Sequence, residues 1–240
     1  MKTINYGTRA RLGMLLPSSN QAAEPQFQAM LPPGVSVHTT RLKLTGNSQQ
    51  DLLGMTERIE EAAELVADSG ADLIVFHCTA VSTFSAELEQ SIRDRAARAS
   101  GRPATATSEA IIAALHVLRA RRIVMLSPYV EATNAREAAF FRGAGFDVLS
   151  CAGLNRSGAG AMMAITPEQW REFARAHRDD RAEAYLISCT TVRSVEIAEE
   201  LEHELGRPVV TSNTATVWHC LRKMAISDPV AGFGQLLARH

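Results

Sequence analysis

Two short stretches of the chain repeat one chemical phrase. "FHCTAVST" (residues 76–83) and "ISCTTVRS" (residues 187–194) each follow an apolar run with a cysteine, a threonine and, one position on, a valine. A thiol has a reference pKa near ~8.5, lowered where a helix N-terminus favours the thiolate. It can serve as base, nucleophile or, once protonated, acid. Thiols on opposite faces of a flat intermediate permit two-sided chemistry. One can remove a proton while the other delivers one, which is racemisation. Alternatively, one can add to an activated double bond, with rotation and elimination giving cis–trans isomerisation. Loss of carbon dioxide followed by protonation of an enediolate needs only one thiol. A lone cysteine at a strand end reads first as a small apolar filler. The matched pair, Cys78 and Cys189, reads as function, whereas Cys151 and Cys220 have no counterpart and read as core.

These cysteines belong to a wider repeat. "RLGMLLPSSN" (residues 11–20) is matched by "RIVMLSPYVEATN" (residues 122–134), and "GRPATATSEA" (residues 101–110) by "GRPVVTSNTA" (residues 206–215). Three blocks in one order indicate duplication into two lobes, residues 1–120 and 121–240, with the C-terminal segment able to cross back to the first. The period is too long for a solenoid. Apolar runs at 12–16, 73–77, 123–127, 184–188 and 208–211 read as buried strands. Helices are expected at 50–67, 86–99, 109–119 (with Ser108 as N-cap), 134–143, 167–177, 195–205 and 214–224. Strands alternating with helices imply an α/β fold of two Rossmann-like lobes, with parallel sheets flanked by helices. Such sheets place ligands at the carboxyl ends of their strands. Both cysteine phrases fall there, so a pseudo-twofold axis would bring them to one cleft between the lobes. Both should stand between a strand and a helix, where backbone N–H groups favour an anion. Ser18, Ser19, Asn20, Thr79, Thr107, Ser108, Thr190, Thr191, Thr211, Ser212 and Asn213 line the same turns and suit a carboxylate. Turn and cap chemistry explains any one of them as well. Tyr129, after Pro128, could donate its phenol to a carboxylate or enolate.

The remaining features narrow the class. The 240 residues carry a net charge of −1, without a polybasic run, which disfavours nucleic acid. No apolar run reaches the ~18 residues that span a bilayer. The N-terminal stretch MKTINYGTRAR has no apolar signal core, so the expected address is cytoplasmic, with free thiols. There is no GxGxxG after a strand, no P-loop, no GxSxG elbow and no Cys/His spacing suited to zinc. No cofactor or metal is expected, and His38, His77 and His219 are not read as ligands.

From "GMLLPSSN" to "GFGQLL" the chain resembles the aspartate/glutamate racemase superfamily, in its maleate cis–trans isomerase and arylmalonate decarboxylase branch. The resemblance implies two Rossmann-like lobes, a cleft between them and cofactor-free chemistry on small carboxylates. It implies that Cys78 is the nucleophile, that Cys189 is its acid/base partner and that Tyr129 lies near the reacting carbon. Asn20 of "PSSN" would contact a carboxylate, with Ser18 and the Thr79, Ala80 and Thr190 segments completing the carboxylate sites. Arylmalonate decarboxylases carry glycine where this chain has Cys78, so two cysteines argue for an isomerase or racemase. Maleate isomerases have an Asn-x-x-[Val/Ile]-Gly segment where this chain reads "GLNRSGAGAMMAI", which is closer to the decarboxylase pattern and leaves Asn155 out of register. They also tend to have Gln at the position of Arg193, which could pair with an extra anion or lie on a helix surface. The expected activity is cofactor-independent cis–trans isomerisation of a small dicarboxylic acid. The alternatives are a two-cysteine racemase of amino or hydroxy acids, then an arylmalonate-type decarboxylase, then a catalytically silent carboxylate-binding protein. A homodimer is expected from the resemblance alone.

Overall fold

The computed structural model describes residues 4–46 and 48–240. Residues 1–3, part of the stretch read above as lacking a signal core, lie outside it. The first half runs β1 (Ala10–Pro17), α1 (Ala23–Met30), β2 (Val35–Leu42), α2 (Gln49–Gly54), α3 (Ile59–Ala67), β3 (Leu73–Phe76), α4 (Thr79–Ser82), α5 (Ala86–Ser100), β4 (Ala104–Ala106) and α6 (Thr107–Val117). The second runs β5 (Arg122–Ser127), α7 (Glu131–Gly143), β6 (Asp147–Gly153), α8 (Ala159–Met163), α9 (Pro167–Ala176), β7 (Ala184–Ile187), α10 (Ala198–Leu205), β8 (Val209–Thr211), α11 (Ser212–Lys223) and α12 (Gln235–Arg239). Each half forms one four-stranded sheet, ordered β2-β1-β3-β4 and β6-β5-β7-β8. Every strand pair is parallel. The identical order is the structural image of the sequence repeat.

Strand alternation explains how the halves join. Side chains of a strand point alternately to its two faces. Leu12, Met14 and Leu16 of β1 and Ile123 and Met125 of β5 belong to one buried cluster that includes Ile111 and Leu115 of α6 and Val217 and Leu221 of α11. The opposite faces carry separate clusters. Leu15, Ile74 and Phe76 meet Ile59 and Ala63 of α3 and Ile92 of α5. Val124, Leu126 and Ile187 meet Trp170 of α9 and Leu201 of α10. The shared cluster, with α6 and α11 in it, fixes one lobe on the other. Full burial of one Leu or Phe side chain contributes roughly 1.5–3 kcal/mol.

Several elements depart from expectation. The helix expected over 50–67 is broken into α2, a 3-10 turn (Met55–Arg58) and α3; Gly54 and Thr56, the two poor helix formers at that point, favour the break. Ser108 is no N-cap: α6 begins at Thr107, its cap is Ala106, and the Ser108 backbone N–H donates to Ser82 Oγ at 3.2 Å. β2 and β6 went unread because each has mixed rather than continuous apolar character. No helix among the described residues is long and apolar enough to cross a membrane.

Candidate active site

Cys78 and Cys189 follow the equivalent strands β3 and β7, and both are buried, 6% and 3% exposed. A short chain of hydrogen bonds joins their turns. Thr79 Oγ1 donates to Ser212 Oγ at 2.9 Å, and the Cys189 backbone N–H donates to the same oxygen at 3.0 Å. Ala80 packs in one apolar cluster with Tyr129 and Cys189. The lobes are also tied just beyond the cysteines. Asn20 Nδ2 donates to Thr190 O at 3.2 Å and Thr190 Oγ1 at 3.1 Å, while its Oδ1 accepts from the N–H groups of Ala22 and Ala23 at the start of α1. Gln26 Nε2 reaches Val192 O at 2.8 Å, and Asn213 Nδ2 donates to Gln26 Oε1 and Thr190 O.

His77, beside Cys78 in sequence, serves this seam. Its Nε2 lies 2.9 Å from Asn213 Oδ1 and its Nδ1 3.0 Å from Thr107 Oγ1. An amide oxygen only accepts, so the Nε2–H tautomer fits. Burial holds the imidazole pKa down to about 3, which keeps it neutral.

The two thiols have different settings. Cys78 caps α4 with extended backbone (φ −152°, ψ 110°), and the Val81 and Ala80 N–H groups favour its thiolate. Burial outweighs them and pushes the pKa up to about 12, with Cys189 and Glu137 adding to the rise. Cys189 does not precede a helix directly. Irregular chain follows it to a 3-10 turn at Val195–Ile197, so a helix N-terminus supports only the first thiol. Instead Cys189 has φ +129°, in a region costing a non-glycine residue about 1–3 kcal/mol. Its sulfur accepts from the Thr191 N–H at 3.3 Å. Burial pushes this thiol up to about 11, while the Tyr129 hydroxyl and the Thr191 N–H pull the other way. Backbone amides favour both thiolates as expected, but desolvation of a buried charged sulfur outweighs them.

Tyr129 stands between the lobes' chemistry and the end of β6. Burial, then the nearby Cys189, raises its pKa well above the ordinary phenol value, so it acts as a neutral donor. Its turn is fixed by its own N–H to Ser127 Oγ at 3.0 Å and by Ser127 Oγ to Asn134 Oδ1 at 2.5 Å. A Cβ added at Gly153 would sit 2.2 Å from Asn134 Nδ2 and from Tyr129 O. Gly153→Ala is therefore expected to destabilise the protein by about 1–3 kcal/mol through overpacking, read as a lower urea midpoint at unchanged slope. The same variant should lower activity, because relief of the clash moves Tyr129.

The structure does not gather every expected residue. Ser18 Oγ accepts from the Leu44 N–H at 3.0 Å, binding β1's turn to the segment after β2. Asn155 is exposed, with φ +53°, and its backbone N–H donates to Tyr129 O at 3.3 Å. Arg193 lies at the surface and pairs with Glu196 at 3.4 Å. The residue that sequence reasoning missed is Glu137 of α7, fully buried behind both cysteine turns. The signal was present: Asn134, Glu137, Ala138 and Phe141 share the buried face of a helix expected over this stretch.

A model of a family described as arylmalonate decarboxylase matches residues 12–237, nearly the whole chain. The chain belongs to the arylmalonate decarboxylase family. A maleate isomerase of Nocardia farcinica is 26% identical over 95% of each chain. The crystal structure of a maleate isomerase from Pseudomonas putida superposes with a TM-score of 0.91 at 21% identity, covering 96% of this chain and 98% of that one. A Nocardia farcinica maleate cis-trans isomerase mutant, described as carrying a covalently bound succinylcysteine intermediate, superposes with a TM-score of 0.89 at 22% identity, covering 96% and 99%. The arylmalonate decarboxylase family thus accounts for the α/β fold and the paired parallel sheets.

Proposed function

We propose that the protein is a cofactor-independent cis–trans isomerase of a small dicarboxylic acid, with Cys78 as nucleophile and Cys189 as acid/base partner. The observation that carries this reading is the pair of buried thiols after β3 and β7, joined across the lobes by Thr79, Ser212 and the Cys189 N–H. The Cys78 thiolate adds to one alkene carbon, and the electron pair moves onto the other carbon and its carboxylate. The Cys189 thiol protonates that carbon, leaving a single bond free to rotate. The Cys189 thiolate then removes the proton, and the electron pair re-forms the double bond as Cys78 leaves. In this reading the Tyr129 phenol, which bonds the Cys189 thiol, donates to the charge that develops on the substrate. Asn20, Thr79 and Thr190 supply polar groups for the carboxylates, whereas Ser18 and Asn155 are assigned no direct contact. The succinylcysteine reported for the Nocardia farcinica enzyme is the adduct such an addition gives with maleate. Free thiols at all four cysteines suit a cytoplasmic address.

Proton NMR in deuterated water tests the reading with a substrate panel. The expected result is maleate turning to fumarate. Deuterium entering an α-carbon with loss of optical activity would instead assign a racemase. Carbon dioxide release from a disubstituted malonate would assign a decarboxylase. A panel left unchanged would favour a carboxylate-binding protein.

A further inference from the structure

Glu137 has no place in the mechanism above, yet it sits behind the whole site. Its side chain is fully buried on α7. Oε2 accepts from Ser188 Oγ at 2.6 Å, and Ser188 immediately precedes Cys189. Oε1 lies 3.3 Å from Thr83 Oγ1, whose hydroxyl also reaches Thr79 O at 2.8 Å, and Thr83 closes the α4 turn that Cys78 opens. One carboxyl group therefore ties the two cysteine turns together from beneath. A neutral side chain could make such a tie without the cost of burying a charge. The groups facing Glu137 are Cys78 from the β3–α4 turn, Cys189 from the end of β7, Tyr129 from the β5–α7 turn and Cys151 from β6. All four ionise to anions. The one cation among its influences is Arg136, its neighbour on α7, whose guanidinium turns to Ala80 O at 3.2 Å and stacks on Phe84.

We infer that Glu137 is a positioning residue whose charge, set against Cys78 and Cys189 across the lobe seam, adds to burial in opposing ionisation of the two thiols. Burial lifts its own carboxyl to about 7, against the pull of Ser188, Arg136 and Thr83, so its charge changes near neutral pH. The thiols ionise well above that pH, where the carboxyl already carries its charge, so Glu137 adds to burial in opposing both thiolates.

The test is alkylation of the ligand-free protein by iodoacetamide across pH, with each cysteine resolved by peptide mass spectrometry. It needs no substrate, so its outcome is independent of which reaction the enzyme performs. In Glu137→Gln the midpoints for Cys78 and Cys189 are expected to fall by roughly one pH unit, the effect of losing a nearby like charge. Cys220 is the internal control, because its thiol is raised by burial and Glu109 rather than by Glu137. Glu137→Asp keeps the charge but shortens the tie, so its midpoints should stay near the wild-type values. Glu137→Leu, an apolar replacement of similar volume, should shift them as Gln does and serves if Gln does not fold. Midpoints unmoved in the neutral variants, or moved equally by Asp, would overturn the inference and leave Glu137 a structural tie alone.

Discussion

Cys78→Ala is expected to abolish isomerisation, lowering kcat/KM by at least about 10⁴-fold, as loss of an enzyme nucleophile does. In the proposed mechanism no other group forms the carbon–sulfur bond: Cys189 is held by the Thr191 N–H on the partner lobe, and the Tyr129 phenol is kept neutral. The variant also separates the rival chemistries. A decarboxylase would survive it, because carbon dioxide loss and one-sided protonation require only Cys189. A racemase would keep proton exchange on one face, seen as deuterium incorporation with retained configuration. The truncation removes one buried sulfur and leaves the turn's hydrogen bonds, which run through Thr79, Ser82 and Thr83, untouched. Thermal unfolding should therefore show a modest loss of stability while activity vanishes. Isomerisation persisting within tenfold of wild type would falsify Cys78 as nucleophile.

Much of this architecture was legible in the chain. Continuous apolar runs such as Leu73–Phe76 announce buried parallel strands, and the repeated phrases announce paired lobes with two thiols at equivalent strand ends. What stayed hidden depends on groups far apart in sequence. β2 and β6 are edge strands whose half-exposed side chains give no continuous run. The joining of the lobes depends on α6 and α11, which looked like ordinary lobe helices until both appeared in one cluster. Duplication also suggested that both thiols cap helices. The second turn broke that symmetry, leaving Cys189 at a positive φ with a side-chain phenol in place of helix amides. Nor could local pattern give the sign of the thiol shifts, since that depends on how deeply the assembled lobes bury each sulfur. Glu137 was overlooked for a related reason: a charged residue on a helix reads as solvated until its neighbours on the buried face are known.

Cys189→Ser is expected to stop the reaction part-way rather than prevent its start. The Cys78 thiolate can still add to the double bond, and the resulting carbanion can take a proton from water. Completing the cycle requires removal of a proton from carbon, and a serine hydroxyl is far too weakly acidic to supply the conjugate base. The adduct on Cys78 should therefore accumulate, and intact-protein mass spectrometry should show a mass increase equal to one substrate molecule. Peptide mapping should place it on residues 76–83, and the double variant Cys78→Ala/Cys189→Ser should lack it. Turnover should fall by about 10²–10⁴-fold, the usual cost of losing a general acid–base. Serine also keeps the β-carbon, so the strained φ of +129° and the N–H bond to Ser212 Oγ act on the variant as on the native residue. The substitution thus changes the proton chemistry while the turn's geometry is conserved. Full activity without an adduct would remove Cys189 from the proton path, and inactivity without an adduct would place it in the addition step itself.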